Sequence, residues 1–461
     1  MEDLATNDKK SNATTCMCPE SRRVYVETGI LDRKIGDAEK LILNEEGIIE
    51  FNKKSFRKMK YKGFEEWLYD LETYPKTITR EELLNTMKSY SSEEVFPSKT
   101  FYDIHAKKIS KTVKKKVLYQ ANFDSIPDEI RVEWGMLVKR GDVRAFPTDT
   151  VFAKEPKGID FDLFQLTVLP VGSPVAILHQ SKNGKWYYIQ SMIYKGWVKR
   201  ENIALAKNKK EVFDHAKSDK FLIVTESRIE TEPNPFIKEI SNILFQMGDK
   251  IPLIEFDEIP ESIPVNNLHA QSPQGCYVVK IPVKDEEGYL EFRLALIARS
   301  NDICEGYLPY TRGNIIQQAF KLLGERYGWN GMFKRRDCSQ FIMNVYKTMN
   351  IIIPSYTRMQ EEGTAGKSIG FSGSIQRRES VLNKLQPGDV IHLKGHVVMY
   401  LGQVEDNHYI MHAGSGYGIK SKDGRIKPVT VHGIFISEVH QLLMSGEKSY
   451  LEAFTTAQKF L

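Results

Sequence analysis

The chain has 461 residues, enough for about three or four domains at roughly 100–200 residues each. An apolar share of 41 % excludes a disordered chain, because it is enough to fill packed cores. The formal charge of +5, from 65 basic and 60 acidic residues, lacks the lopsided basic excess of a nucleic-acid-binding protein.

Residues 1–20 are polar, with no apolar core of the kind a secretory leader needs. No apolar run reaches about 18 residues, so no transmembrane segment is expected. The sequence as written reads as cytoplasmic, or as an envelope or secreted protein whose leader has been removed. Five cysteines, Cys16, Cys18, Cys276, Cys304 and Cys338, are odd in number and irregular in spacing, so no disulfide framework is visible. Cys16 and Cys18 read as thiols in a tail, because no second pair of residues has metal-site spacing. No metal and no cofactor are expected.

Beyond the tail, residues 25–125 read as mainly helical. Phe64, Trp67, Leu68 and Leu71 fall at helical spacing, as do Leu83, Leu84 and Met87. Thr79, with Glu82 three residues on, reads as a capping box. The basic run 107–116 reads as a solvated face. From about 130 to 205 the pattern becomes strand-like, over 134–138, 174–179, 185–190 and 196–199. Asn183-Gly184 is a hairpin signal between two of these runs, and the stretch reads as a small β-barrel. A second β-rich stretch covers 215–308, with strands expected over 221–225, 277–283 and 289–297.

From about 311 the texture changes again. Residues 314–323 read as an amphipathic helix. Cys338 opens a second one, with Phe341, Ile342, Val345 and Met349 on its apolar stripe and Asn350 and Pro354 past its end. Residues 390–401 and 408–413 read as two strands joined by a polar turn. Helices followed by antiparallel strands make an α+β arrangement. The boundaries drawn are a 1–24 tail, a helical domain over 25–128, β-rich domains over 129–208 and 209–308, and an α+β domain over 309–461.

Arg336-Asp337-Cys338-Ser339 sits at a helix start, where unpaired N–H groups and partial positive charge favour a thiolate. A buried structural cysteine would read the same way. The histidines strengthen the catalytic reading. If 390–401 and 408–413 pair as a hairpin, His396 and His412 lie close together. One can then take the thiol proton while the other orients it. His392 and His396 also have a four-residue spacing seen in zinc sites, but Gly395 and the β-branched neighbours argue for a strand, and no glutamate lies between them. His392 and His408 are read as structural.

Four ordered blocks resemble the NlpC-type cell-wall cysteine peptidases: Asp337-Cys338-Ser339, Leu385-Gln386-Pro387-Gly388-Asp389-Val390, Gly395-His396-Val397-Val398-Met399-Tyr400-Leu401-Gly402, and Tyr409-Ile410-Met411-His412-Ala413. Tyr327-Gly328-Trp329-Asn330-Gly331 resembles the family's Tyr-x-Trp-Gly-Gly segment, with Asn330 in place of the first glycine. Upstream, Arg144 to Thr148, Phe161-Asp162, Gly184-Lys185-Trp186 and Tyr194 to Val198 resemble a bacterial SH3-like domain. In one branch of the family such a domain precedes the catalytic one, beside a second SH3-like domain and a helical N-terminal clip domain. The resemblance therefore implies a multi-domain α+β fold. Its papain-like catalytic domain would be preceded by two small SH3-like β-barrels and a mainly helical N-terminal domain.

That branch consists of γ-D-glutamyl-L-diamino-acid endopeptidases. The resemblance implies that Cys338 is nucleophile, His396 base, His412 orienter and Tyr327 a tyrosine near the oxyanion. It implies that Asp337 and Ser339 hold the free amine of an N-terminal L-alanine, that Tyr194 closes the same pocket, and that Trp329 and Thr357 line the substrate site. Thr357 stands where relatives often have serine, in a segment, Pro354-Ser355-Tyr356-Thr357, that has lost an acidic residue. The implied partners are peptidoglycan stem peptides or muropeptides, cut by a monomer in wall turnover or recycling. Two readings compete with it. One is a catalytically idle wall-binding protein, which has no need of Cys338, His396 and His412 together. The other is an amidase or acyltransferase on the same fold, which has no need of Asp337 with Tyr194.

Overall fold

A computed structural model of the protein describes residues 14–15, 25–26, 38–64, 70–88, 99–156, 158, 160–259, 268, 271–421, 424–444 and 448–461. Cys16, Cys18, Trp67 and Leu68 lie outside the described residues. The chain folds into two compact units. One takes the described residues up to Ile49 together with Pro309–Tyr327 and Gly366–Leu461; the other takes Glu50–Leu308 and Gly328–Ala365.

The first unit is built on a six-stranded antiparallel sheet. Its strands lie side by side in the order Lys367–Gly370, Phe454–Lys459, Val390–Leu393, His396–Val404, Asn407–Lys420 and Ile426–Glu438. Leu382, Ile391, Leu393, Val398, Ile410, Phe435, Leu442 and Ala457 are buried together in its core. Each large apolar side chain buried this way contributes about 1.5–3 kcal/mol relative to exposure. The helix Arg312–Phe320 starts on Thr311, whose hydroxyl accepts the Asn314 N–H. Residues 390–401 do not form one strand. The chain reverses at Lys394-Gly395, Leu393 pairs with His396, and Gly395 has φ +76°. A left-handed residue there is costly for anything with a Cβ. Strand-forming residues on both sides hide this turn from a reading of texture.

The second unit begins with helical residues. Thr79 and Glu82 form the expected reciprocal cap at Arg80–Lys88: the Glu82 N–H donates to Thr79 Oγ1 at 3.2 Å and the Thr79 N–H to Glu82 Oε2 at 2.7 Å. The helix Glu45–Tyr61 ends before Phe64, and Leu71 lies in a turn, so neither is helical. The basic run is partly the helix Lys111–Gln120, whose lysines are exposed except Lys114.

A seven-stranded antiparallel sheet follows, in the order Ile203–Ala206, Glu133–Leu137, Pro174–Gln180, Trp186–Gln190, Lys195–Lys199, Gly141–Arg144 and Gln165–Leu169. The Asn183-Gly184 connection is longer than a two-residue hairpin. It spans Ser181 to Lys185, with Asn183 Oδ1 accepting from both of those residues and Gly184 at φ +68°. A five-stranded sheet drawn from Phe221 to Glu305 comes next.

The helix Cys338–Lys347 belongs to this same unit. Phe341, Ile342 and Val345 are fully buried, as their spacing predicts. Polar contacts fasten the segment to the second sheet region. Arg336 Nη2 donates to the Ser227 carbonyl at 2.7 Å, Gln246 Nε2 to the Lys334 carbonyl at 2.8 Å, and Asn344 Nδ2 to the Met247 carbonyl at 2.5 Å.

Candidate active site

Cys338 is the first residue of its helix, with Asp337 as the N-cap. Asp337 Oδ1 accepts the Gln340 N–H at 2.8 Å, which is the usual N-cap bond, and lies 2.9 Å from Ser339 Oγ. Asp337 Oδ2 accepts the Asn330 N–H at 3.1 Å. Ser339 Oγ also lies 2.8 Å from the Ser355 carbonyl oxygen. Cys338, Asp337 and Ser339 are all buried. Burial pushes the Asp337 carboxyl above the usual range, and the hydrogen bonds from Gln340, Ser339 and Asn330 only partly offset it. A buried carboxylate of this kind is short of a cation.

Tyr194 comes from the SH3-like region. A tight turn aims it: its N–H donates to Ser191 Oγ at 3.0 Å, and its carbonyl accepts the Ser191 N–H at 2.8 Å. It is buried. Burial first, and the Asp337 carboxylate next, push its pKa up, so the phenol stays a neutral donor. Trp329 is partly buried and packs edge-on against Phe161 at 5.4 Å, and its indole N–H is buried with no hydrogen-bond partner. Thr357 is the first residue of the helix Thr357–Gly363 and is partly buried. These predicted residues, with Cys338, all lie in the second unit.

The first unit holds His396, His412 and Tyr327. His396 and His412 lie on neighbouring strands, and their rings meet, with His396 Nε2 3.0 Å from His412 Nδ1. The second nitrogen of His412, Nε2, lies 3.3 Å from Ser437 Oγ. His412 is fully buried against Phe435, with ring centroids 4.2 Å apart. Desolvation pushes His396 down to about 4; burial, and His396 itself, hold His412 well below the ordinary histidine range. Both rings are therefore neutral at neutral pH. For His396 to donate through Nε2, His412 must accept at Nδ1 and carry its proton on Nε2, where Ser437 Oγ accepts it. Tyr327 is buried, and its N–H donates to the His432 carbonyl at 2.9 Å.

The two histidines read as structural, His392 and His408, are each hydrogen-bonded. His392 Nε2 lies 3.1 Å from Gln458 Oε1, and His408 Nδ1 lies 2.7 Å from Tyr400 OH. His392 pairs with Val397 and His396 with Leu393, so the two histidines lie on opposite faces of a hairpin rather than along one helix. Among the described residues no three His, Cys, Asp or Glu side chains form a metal-binding group.

Residues 324–434 match the NlpC/P60 family, and residues 151–199 match the SH3 domain of the SH3b1 type. The chain carries an NlpC/P60 domain. A comparison with curated proteins gives no match. A solved structure described as a novel NlpC/P60 endopeptidase from Photobacterium damselae subsp. piscicida is 18 % identical to this chain. The alignment covers 93 % of this chain and 96 % of that one, with a TM-score of 0.72, so the two share a fold. An NlpC/P60 family protein from Bacillus cereus ATCC 10987 is also 18 % identical, over 65 % of this chain and 83 % of its own, with a TM-score of 0.41. The protein is thus a multi-domain α+β chain in which a papain-like NlpC/P60 domain accompanies an SH3-like region. NlpC/P60 proteins are in general cysteine peptidases that hydrolyse peptidoglycan. Among the described residues no helix is long and apolar enough to cross a membrane.

Sequence reasoning missed Ser437 and Gln165. Ser437 lies on the strand Ile426–Glu438, which carries no motif, and it nears His412 only through cross-strand register.

Proposed function

We propose that the protein is a cysteine endopeptidase that cuts the γ-D-glutamyl-L-diamino-acid bond of released peptidoglycan stem peptides bearing a free N-terminal L-alanine. The domain boundaries given above, with a clip domain and two SH3-like domains, belong to the same proposal. The reading rests above all on the buried Asp337 carboxylate, held by Ser339 and Gln340 and acted on by the Tyr194 phenol. An ammonium entering such a pocket regains in charge-assisted hydrogen bonds what it loses in hydration. Intact wall, whose L-alanine amine is capped, would be a poor substrate.

In this mechanism His396 takes the Cys338 proton and the thiolate attacks the D-glutamyl γ-carbonyl carbon. Collapse of the tetrahedral adduct breaks the C–N bond, and the departing amine takes the proton from His396. The resulting thioester is hydrolysed by water, with His396 again as base, which frees the γ-carboxylate and restores the thiol.

The test is a comparison of L-Ala-γ-D-Glu-diamino-acid peptide with its N-acetylated form, followed by mass spectrometry. Asp337→Asn is expected to cost on the order of 2–4 kcal/mol of transition-state binding on the free-amine peptide, about two to three decades in kcat/KM. Tyr194→Phe should do the same to a lesser degree. Equal cleavage of both peptides by the parent would remove the free-amine requirement.

Acidification adds a second readout. The amine needs Asp337 ionised, and burial raises its pKa, so the ionised form is lost at a higher pH than for an ordinary aspartate. On the free-amine peptide kcat/KM should fall on acidification both as Asp337 protonates and, near pH 4, as His396 does. Asp337→Asn should retain only the His396 step.

Ser437→Ala removes the acceptor that holds His412 in the required tautomer. The expected result is a roughly three- to ten-fold lower kcat with KM unchanged, as for loss of one neutral hydrogen bond. Steady-state kinetics on the free-amine peptide check it.

A further inference from the structure

Asn330 stands where the related segment has glycine, and its backbone is left-handed, with φ 48° and ψ 34°. Asparagine tolerates that region better than most residues, but glycine would adopt it at no steric cost. The asparagine side chain therefore calls for a reason. Its Nδ2 donates to the Gln165 carbonyl at 2.7 Å, and Gln165 Nε2 returns a bond to the Asn330 carbonyl at 3.2 Å. Gln165 is buried in the SH3-like region and is itself held. Its Oε1 accepts from Arg144 Nη1 at 3.2 Å, and its Nε2 lies 3.0 Å from Asp142 Oδ1. Arg144 is in turn anchored on Asp162 at 2.7 Å, in a fully buried ion pair. The next residue, Gly331, packs so closely that a Cβ would come within 2.2 Å of Val168. At the other end of the chain of bonds, the Asn330 N–H donates to Asp337 Oδ2.

We propose that Asn330 is a positioning residue that, through Gln165, couples the buried polar network of the SH3-like region to Asp337 and so sets the enzyme's discrimination for a free amine. The inference rests on the reading of Asp337 as the amine-binding carboxylate. Oδ1 is held from within the helix, by Gln340 and Ser339. Oδ2 is held by Asn330, which among the described residues is hydrogen-bonded from outside its own loop by the reciprocal pair with Gln165. Loosening that pair lets Oδ2 wander without removing any group that touches the substrate.

Asn330→Gly is the decisive variant, because it keeps the left-handed backbone and the N–H to Asp337 while deleting the side-chain half of the clamp, the Nδ2 bond to the Gln165 carbonyl. The ratio of kcat/KM on free-amine to N-acetylated peptide is expected to fall about ten-fold, nearly all of it through KM on the free-amine peptide, as for one buried neutral hydrogen bond. Cleavage of the acetylated peptide should be unchanged. Asn330→Asp, which replaces the donor with a carboxylate facing the Gln165 carbonyl, should produce the same loss and decides the matter if the glycine variant does not fold. Asn330→Gly combined with Gln165→Ala, which removes both bonds of the reciprocal pair where each single change leaves one, should lower the ratio further than either alone. An unchanged ratio in folded Asn330→Gly would overturn the coupling, as would an equal loss on both peptides, which is what general structural damage gives. A parent enzyme with no preference for the free amine would sink the amine-pocket reading and the coupling together, whereas a parent preference that survives in the variant sinks the coupling alone.

Discussion

Cys338→Ala is expected to abolish hydrolysis and leave the protein folded. The covalent route needs a sulfur nucleophile, and among the described residues no other thiol shares its helix-start environment; Cys276 and Cys304 lie on strands of the five-stranded sheet. The loss should reach at least about four decades in kcat, the scale seen when a covalent nucleophile is removed. Stability should change little. The thiol is small, the helix keeps its Asp337 cap, and Phe341, Ile342 and Val345 still fill the core, so a cost below about 1.5 kcal/mol is expected. Peptide cleavage followed by mass spectrometry, beside a thermal melt, separates the two effects. Undiminished cleavage by the folded variant would remove the cysteine-peptidase mechanism.

The second large effect is expected at His396. His396→Ala should be as damaging as the loss of Cys338, because the ring moves the proton in both halves of the reaction. His412→Ala should leave measurable activity, since that ring orients His396 and stabilises its charged form without taking the proton itself. The 3.0 Å contact between the two rings sets the expected asymmetry. A neutral His412 can accept from a protonated His396, and removing it leaves His396 present but free to rotate. A loss of about two to three decades is expected for His412→Ala. The check is kcat for each variant. A harmless His396→Ala would move the base elsewhere, although His392 is already engaged with Gln458.

Local signals carried much of this site. A cysteine preceded by a capping aspartate and followed by apolar residues at helical spacing is legible because cap and stripe are both short-range. The meeting of His396 with His412 was legible as a consequence of pairing two strands. The turn at Lys394-Gly395 was not, because a single glycine between strand-forming residues gives little local signal. It makes three strands from what reads as two. Ser437 and Gln165 were invisible for a different reason. Each acquires its role from a partner remote along the chain, and Gln165 is 165 residues from Asn330. Tyr194 was reached only through the family resemblance, since nothing in its own neighbourhood marks a tyrosine that answers to Asp337.

The bonds from Ser227, Gln246 and Met247 to the nucleophile-bearing segment also bear on how such a protein can be taken apart or recombined. Arg336 is fully buried, and its guanidinium is held by a carbonyl of the sheet-rich region. A gene fragment encoding only residues 309–461 would take the Ser227 carbonyl from Arg336 and the Met247 carbonyl from Asn344, at about 1–3 kcal/mol for each buried hydrogen bond left unmade. The hydrolase is therefore a poor cassette for domain shuffling. A chimera that grafts it onto a foreign targeting module would have to bring the preceding β-rich modules along, so selection is expected to pass the whole assembly on as one heritable block.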